Sequence, residues 1–96
     1  MKKKKRKTMF YVLTYDIASP KRLPKALKVC RKYLFWVQKS VFEGELTSKQ
    51  FTLLKGELNR IIKRNEDFIL FYAIRNREVV DRGFLGVEKN EISNFI

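Results

Sequence analysis

Met9-Phe10-Tyr11-Val12-Leu13-Thr14-Tyr15-Asp16-Ile17 is the stretch from which the rest of the chain is read. Residues 9–17 are rich in β-branched and aromatic side chains and end at a polar turn, which is a strand pattern. Their near-continuous apolar character predicts a central strand covered on both faces. The run stops at one carboxylate, Asp16, and a loop, Ile17-Ala18-Ser19-Pro20, follows. Two readings of Asp16 stand side by side. Asp commonly forms turns and caps helices, while a carboxylate at a strand end, in a chain crowded with Lys and Arg, also suits a hard metal ion.

Outward from this strand, Leu23, Ala26, Leu27, Cys30 and Leu34 recur at spacings of three and four. They predict a helix from Leu23 or Pro24 to Leu34 with one apolar stripe. Pro24 suits its first turn, where a missing N–H costs nothing. Lys25, Lys28, Arg31 and Lys32 take the opposite face, and Cys30 reads as a small core hydrophobe. Trp36 to Leu46 is extended in character, and Glu43-Gly44 suggests a bulge or kink near its end. Thr47 and Gln50 have capping-box spacing, with Ser48 a competing N-cap. The helix they open buries Phe51, Leu54, Leu58, Ile61 and Ile62 and leaves Lys49, Lys55, Arg60, Lys63 and Arg64 outside. Gly56 inside it costs about 1 kcal/mol relative to Ala unless a close helix contact uses it.

Asn65-Glu66-Asp67 closes that helix and turns the chain. Phe68-Ile69-Leu70-Phe71-Tyr72-Ala73-Ile74 then reads as the clearest buried strand. After a polar connection, residues 79–87 suggest a strand interrupted by Gly83 and Gly86. Ile92-Ser93-Asn94-Phe95-Ile96 ends apolar, which asks for cover from a partner subunit.

The order strand, helix, strand, helix, strand, strand predicts an α+β fold. It is a ferredoxin-like two-layer sandwich with a mainly antiparallel sheet and two helices on one face. Residues 9–96 make that single domain. Residues 1–8 read as a flexible basic extension, with Met9 an alternative start. That fold wants a hairpin between the helices, yet residues 36–47 contain no two-residue turn such as Asn-Gly. Either the strand is long and kinked or the turn is irregular.

Composition narrows the chemistry. The 96 residues carry 22 basic and 10 acidic side chains, a net charge of +12, and six of the positive charges sit in Lys2–Lys7. Such a balance implies polyanionic partners, most often nucleic acid, although a plain solvated surface is the competing reading. No histidine is present, which removes imidazole acid–base chemistry and the usual zinc sites. The lone Cys30 excludes an intrachain disulfide and fits a reducing, cytoplasmic setting. No stretch approaches the roughly 20 apolar residues of a membrane span, and the basic start lacks the features of a secretory signal.

Three segments together resemble the CRISPR-associated Cas-two family: Tyr11-Val12-Leu13-Thr14-Tyr15-Asp16-Ile17, Val37-Gln38-Lys39-Ser40-Val41-Phe42-Glu43-Gly44 and Asp67-Phe68-Ile69-Leu70-Phe71-Tyr72. These are small ferredoxin-like proteins of CRISPR adaptation, many described as endoribonucleases. The resemblance runs from Met9 to Ile96. It implies a homodimer in which the C-terminal segment of each copy adds a strand to its partner's sheet. The two copies of Asp16 would face each other across the interface as the catalytic and Mg²⁺- or Mn²⁺-binding residues, with Tyr15, Ser40 and Phe42 as motif support. Arg22, Lys25, Lys28, Arg31 and Lys32 would hold the nucleic-acid backbone. Two roles follow from the resemblance. One is a metal-dependent endonuclease acting on RNA or DNA. The other is an architectural dimer that bridges CRISPR integrase subunits and holds duplex DNA during spacer acquisition.

This chain departs from the family at two places. Lys21-Arg22-Leu23-Pro24-Lys25 holds one Arg where many members are Arg-rich, and Trp36 takes the usual Arg place before Val37-Gln38. Trp36 either stacks on a base or packs under a loop, and packing is favoured. For Ser40 and Phe42 the competing reading is strand packing.

Overall fold

The computed structural model describes residues 7–88. In chain order these form β1 (Thr8–Asp16), α1 (Leu23–Tyr33), β2 (Phe35–Gln38), β3 (Val41–Thr47), α2 (Ser48–Ile61) and β4 (Phe68–Ile74), followed by a 3₁₀ turn at Arg77–Val79. The sheet order is β2-β3-β1-β4 and every neighbouring pair is antiparallel. Both helices pack on one face of it, giving the expected α+β sandwich.

β1 is central, and its side chains alternate between two unlike faces. Tyr11, Leu13 and Tyr15 point to the helices and join Ala26, Cys30, Leu34, Phe42, Leu46, Leu54 and Leu58 in one core. Burial pushes the Cys30 thiol up to about 12, so it stays protonated and packs as a small apolar group. The α2 start is built as the sequence predicts. The Thr47 hydroxyl accepts from the Gln50 amide at 3.1 Å, and the Gln50 side chain accepts from the Thr47 amide at 2.8 Å.

One open alternative is decided and three expectations change. First, residues 36–46 are not one kinked strand, and the alternative of an irregular turn holds. β2 and β3 form a tight hairpin whose turn is Lys39-Ser40, with Gln38 paired to Val41. Lys39 takes the left-handed conformation, φ 34°, that Asn or Gly would adopt at less cost. Its carbonyl accepts from the Trp36 indole N–H at 2.9 Å, which ties the turn down. Second, the irregularity lies on β2 between Trp36 and Gln38, while Gly44 stays in unbroken register with Tyr11. The absent side chain there makes room for Leu34, whose Cδ2 would stand 3.2 Å from an added Cβ.

Third, residues 79–87 form no strand in the single chain. The segment runs back past the sheet instead, with Arg82 bonded to Glu43 and Glu88 at 2.6 Å each. Fourth, β4 is not buried. It is an edge strand, and Phe68 and Tyr72 are 61% and 60% exposed. An apolar run looks the same in sequence whether its faces are covered by its own chain or left open. The basic run Lys2–Arg6 and the apolar Ile92–Ile96 lie outside the described residues.

Register sorts the open face. Phe10, Val12, Thr14 and Asp16 of β1 lie opposite Ile74, Tyr72, Leu70 and Phe68 of β4, and directly opposed residues share a side of the sheet. Among the described residues that side carries no helix. Phe10 is sheltered by the Arg77 guanidinium, 4.8 Å from its ring centre, whereas Phe68, Leu70 and Tyr72 remain exposed.

Candidate functional site

Asp16 is the last residue of β1, exposed, on the helix-free face and in register with Phe68. Among the described residues no ion pair engages its carboxylate. The Lys39-Ser40 turn sits at the same end of the sheet, because the Tyr15 amide donates to the Ser40 carbonyl at 3.2 Å. Ser40 is therefore beside the site through its backbone. Tyr15 and Phe42, the other motif residues, are core. Their rings lie 5.6 Å apart, Phe42 is fully buried, and burial raises the Tyr15 phenol to about 12. Their part in the motif is packing that fixes the strand ending in Asp16.

The loop after Asp16 is short and tightly bonded. Ser19 accepts through its carbonyl from the Arg22 and Leu23 amides and through its hydroxyl from the Lys21 amide, which starts α1. A second anchor comes from Asp67, immediately before β4. Asp67 accepts from the Ala18 amide at 2.9 Å, the Lys63 amide at 2.8 Å and the Arg22 guanidinium at 2.8 and 3.0 Å. Those donors, Arg22 first among them, hold its carboxyl well below the usual carboxylate range. The sequence reading treated Asp67 as part of a turn. Its role shows only when antiparallel pairing places the residue before β4 next to the loop leaving β1.

The expected backbone-binding cations divide. Lys25 and Lys28 are exposed on α1. Arg22 is committed to Asp67 and also to Glu66 at 3.0 Å, with its side chain only 18% exposed. Lys32 pairs with Glu57 on α2 at 2.6 Å, and the Tyr33 hydroxyl donates to the same carboxylate. Arg31 lies over the Trp36 ring at 5.1 Å. Trp36, half-buried and bonded to Lys39, thus packs as its favoured reading has it. On α2, Lys55 covers Phe51 and Phe71, while Lys63 and Arg64, expected on that helix, follow its last residue, and Arg64 is bonded to Asn59. Neutralised ion pairs add little net potential, so Arg22 and Lys32 contribute little to the positive field of the helix face, to which Lys25, Lys28 and the α2 cations add.

For a divalent cation, one copy offers one carboxylate. No cluster of three or more candidate ligands occurs among the described residues, and Asp67 has its oxygens filled by Arg22 and backbone amides. Mg²⁺ binds through one or two carboxylates plus water and phosphate oxygens. Asp16 fits that donor set in kind, and a second copy of it would complete the carboxylate pair.

Comparison with known proteins agrees with this architecture. A family model described as CRISPR associated protein Cas2 matches residues 9–82. The CRISPR-associated endoribonuclease Cas2 of Dictyoglomus turgidum is 42% identical over 83 residues, covering 86% of this chain and 94% of that protein. That of Thermotoga maritima is 45% identical with the same coverage. The crystal structure of Streptococcus pyogenes Cas2 superposes with a TM-score of 0.69 at 35% identity, over 81% of this chain and all of the other. A further Cas2 crystal structure reaches 0.76 at 34% identity, over 88% of this chain and 94% of the other. With the fold and these matches in agreement, the chain belongs to the CRISPR-associated protein Cas2 family.

Proposed function

We propose that the protein is a cytoplasmic endonuclease of the CRISPR adaptation stage, acting as a homodimer on RNA or DNA through paired Asp16 carboxylates. The observation that carries this reading is the placement of Asp16 on the helix-free face, at the end of an exposed apolar column formed by Phe68, Leu70 and Tyr72. Burying that column against a second copy removes it from water and sets the two carboxylates at one interface. The two Asp16 carboxylates would hold Mg²⁺ or Mn²⁺, which would supply polarisation of a phosphodiester and a lower pKa for an attacking water. Asp16 supplies the charge that retains the ion. Lys25, Lys28 and the basic α2 face hold the backbone, and the ordered loop behind Asp16 keeps the carboxylate in place. Curated relatives named endoribonucleases support the activity.

The test is cleavage of RNA and duplex DNA by the purified protein with and without Mg²⁺ or Mn²⁺. Asp16→Asn is expected to lower kcat by roughly 100-fold or more, the scale of losing a charge-stabilising group. Cleavage that persists unchanged in Asp16→Asn defeats the reading.

A second reading rests on charge. With a net charge of +12 and basic residues along both helices, the dimer also suits an architectural role, holding duplex DNA against a CRISPR integrase subunit. It predicts duplex affinity that falls steeply with salt. It also predicts spacer acquisition that survives Asp16→Asn but not charge reversal at Lys25 and Lys28.

A further inference from the structure

We propose that Arg22 and Asp67 are positioning residues for Asp16, clamping the loop that leaves β1, and that Arg22 is not a nucleic-acid contact. The inference rests on the Asp16-centred reading above and deepens it. Asp16 sits between two fixed points. On one side, β4 pairs Phe68 with Asp16 itself. On the other, the Ala18 amide donates to Asp67 Oδ1 at 2.9 Å. Residues 67 and 68 are adjacent, so one short segment grips the backbone at Asp16 and again two residues later.

Asp67 is itself held rigidly. Oδ1 accepts from Ala18 and from Arg22 Nη2 at 3.0 Å, and Oδ2 accepts from Arg22 Nε at 2.8 Å and the Lys63 amide at 2.8 Å. Arg22 therefore meets the carboxylate with two parallel bonds, a geometry that fixes orientation as well as distance. The Asp67 side chain has no exposed surface. Arg22 stands at the start of α1, where its carbonyl accepts from the Ala26 amide at 3.0 Å, so the clamp ties the loop to α1, the end of α2 and β4 at once.

A side chain that grips phosphate needs its charge presented outward. Arg22 instead faces the carboxylates of Asp67 and Glu66, which cancel its field. Asn at position 67 keeps the shape of the residue but presents an NH₂ group towards donors on one side. It loses at least one arm of the clamp and the charge that holds Arg22. Lys at position 22 keeps the charge but not the fork.

The experiment measures Asp67→Asn and Arg22→Lys in the full-length dimer. RNA cleavage with Mn²⁺ is followed at steady state, and RNA binding is followed in chelator across a salt series. The expected result is a kcat lower by about 10- to 100-fold, the range for lost supporting interactions around a metal ligand, with KM within about two-fold and an unchanged salt slope. Arg22→Lys is expected to fall between wild type and Asp67→Asn. Binding that weakens with a salt slope reduced by about one would make Arg22 a phosphate contact and overturn the proposal. An unchanged kcat in both variants overturns it too. If wild type cleaves nothing, the nuclease reading falls by itself, and the clamp is then judged by hydrogen exchange at the Ala18 amide. Exchange at least 10-fold faster in Asp67→Asn sustains it, and a wild-type rate overturns it. Where Asp67→Asn does not fold, Arg22→Lys alone decides on the same readouts.

Discussion

β1 and β4 are close to interchangeable as sequences, each an apolar run with aromatic residues throughout, yet the fold treats them in opposite ways. In β1, Phe10, Tyr11, Leu13 and Tyr15 are all buried, whereas most of β4 is exposed, with Phe68 and Tyr72 the extremes. The difference is one of position. β1 has a neighbour on each side and two helices over one face, while β4 closes the sheet with one neighbour and an open face. An apolar strand that the described residues leave uncovered is a surface for something else. Here Asp16 stands at its end.

The sharpest test of that contrast sets a core residue against an edge residue. Leu13→Ala, at a position 1% exposed, is expected to cost about 2–5 kcal/mol in chemical denaturation. Tyr72→Ala is expected to cost under about 0.5 kcal/mol in dilute single chains. Its cost should grow with protein concentration as a second copy covers the face. Equal costs at every concentration would break the comparison.

The second test concerns the joint between the two strands. The Asp67 carboxyl, ordinarily near 3.8, is held lower in the folded protein by Arg22 and two backbone amides. The unfolded chain therefore takes up a proton before the folded one does. The resulting stabilisation is complete above the ordinary value and is lost as pH falls below it, through the depressed folded value. Denaturation midpoints at pH 5 and pH 3 should accordingly fall further for wild type than for Asp67→Asn. Parallel loss in the two would remove Asp67 as the joint.

The smallest effect lies on the helix between them. Nothing stands within 4 Å of a Cβ added at Gly56, so no close contact uses this glycine. Gly56→Ala should raise stability by about 0.5–1 kcal/mol without changing the contrast between the strands. A loss would mean that the open space beside α2 and β4 is occupied in the working assembly.

Much of this was legible along the chain, and the exceptions share a cause. The bounds of α1, the Thr47–Gln50 capping box, the core placement of Cys30 and the packing of Trp36 depend on residues within a turn or two of each other. The hairpin between the helices was not legible, since Lys39-Ser40 carries neither Asn nor Gly. Its left-handed residue is tolerated with the Trp36 indole holding the turn. The burial of β4 was misread because composition does not say which strand lies at an edge. The pairing of Arg22 with Asp67 was not legible because the two residues are 45 apart in sequence.

By itself, then, the sequence determined the two helices, the first strand and the strand after the second helix, the family and the candidate carboxylate, because each is written in local periodicity, capping chemistry or a contiguous motif. Only the tertiary structure decided which apolar strand the described residues leave uncovered, which cations are already paired, where the hairpin between the helices turns, and what braces the loop after Asp16. Those are outcomes of strand pairing between distant segments, where sheet position sets burial and the nearest opposite charge decides whether a side chain supports the fold or faces a ligand.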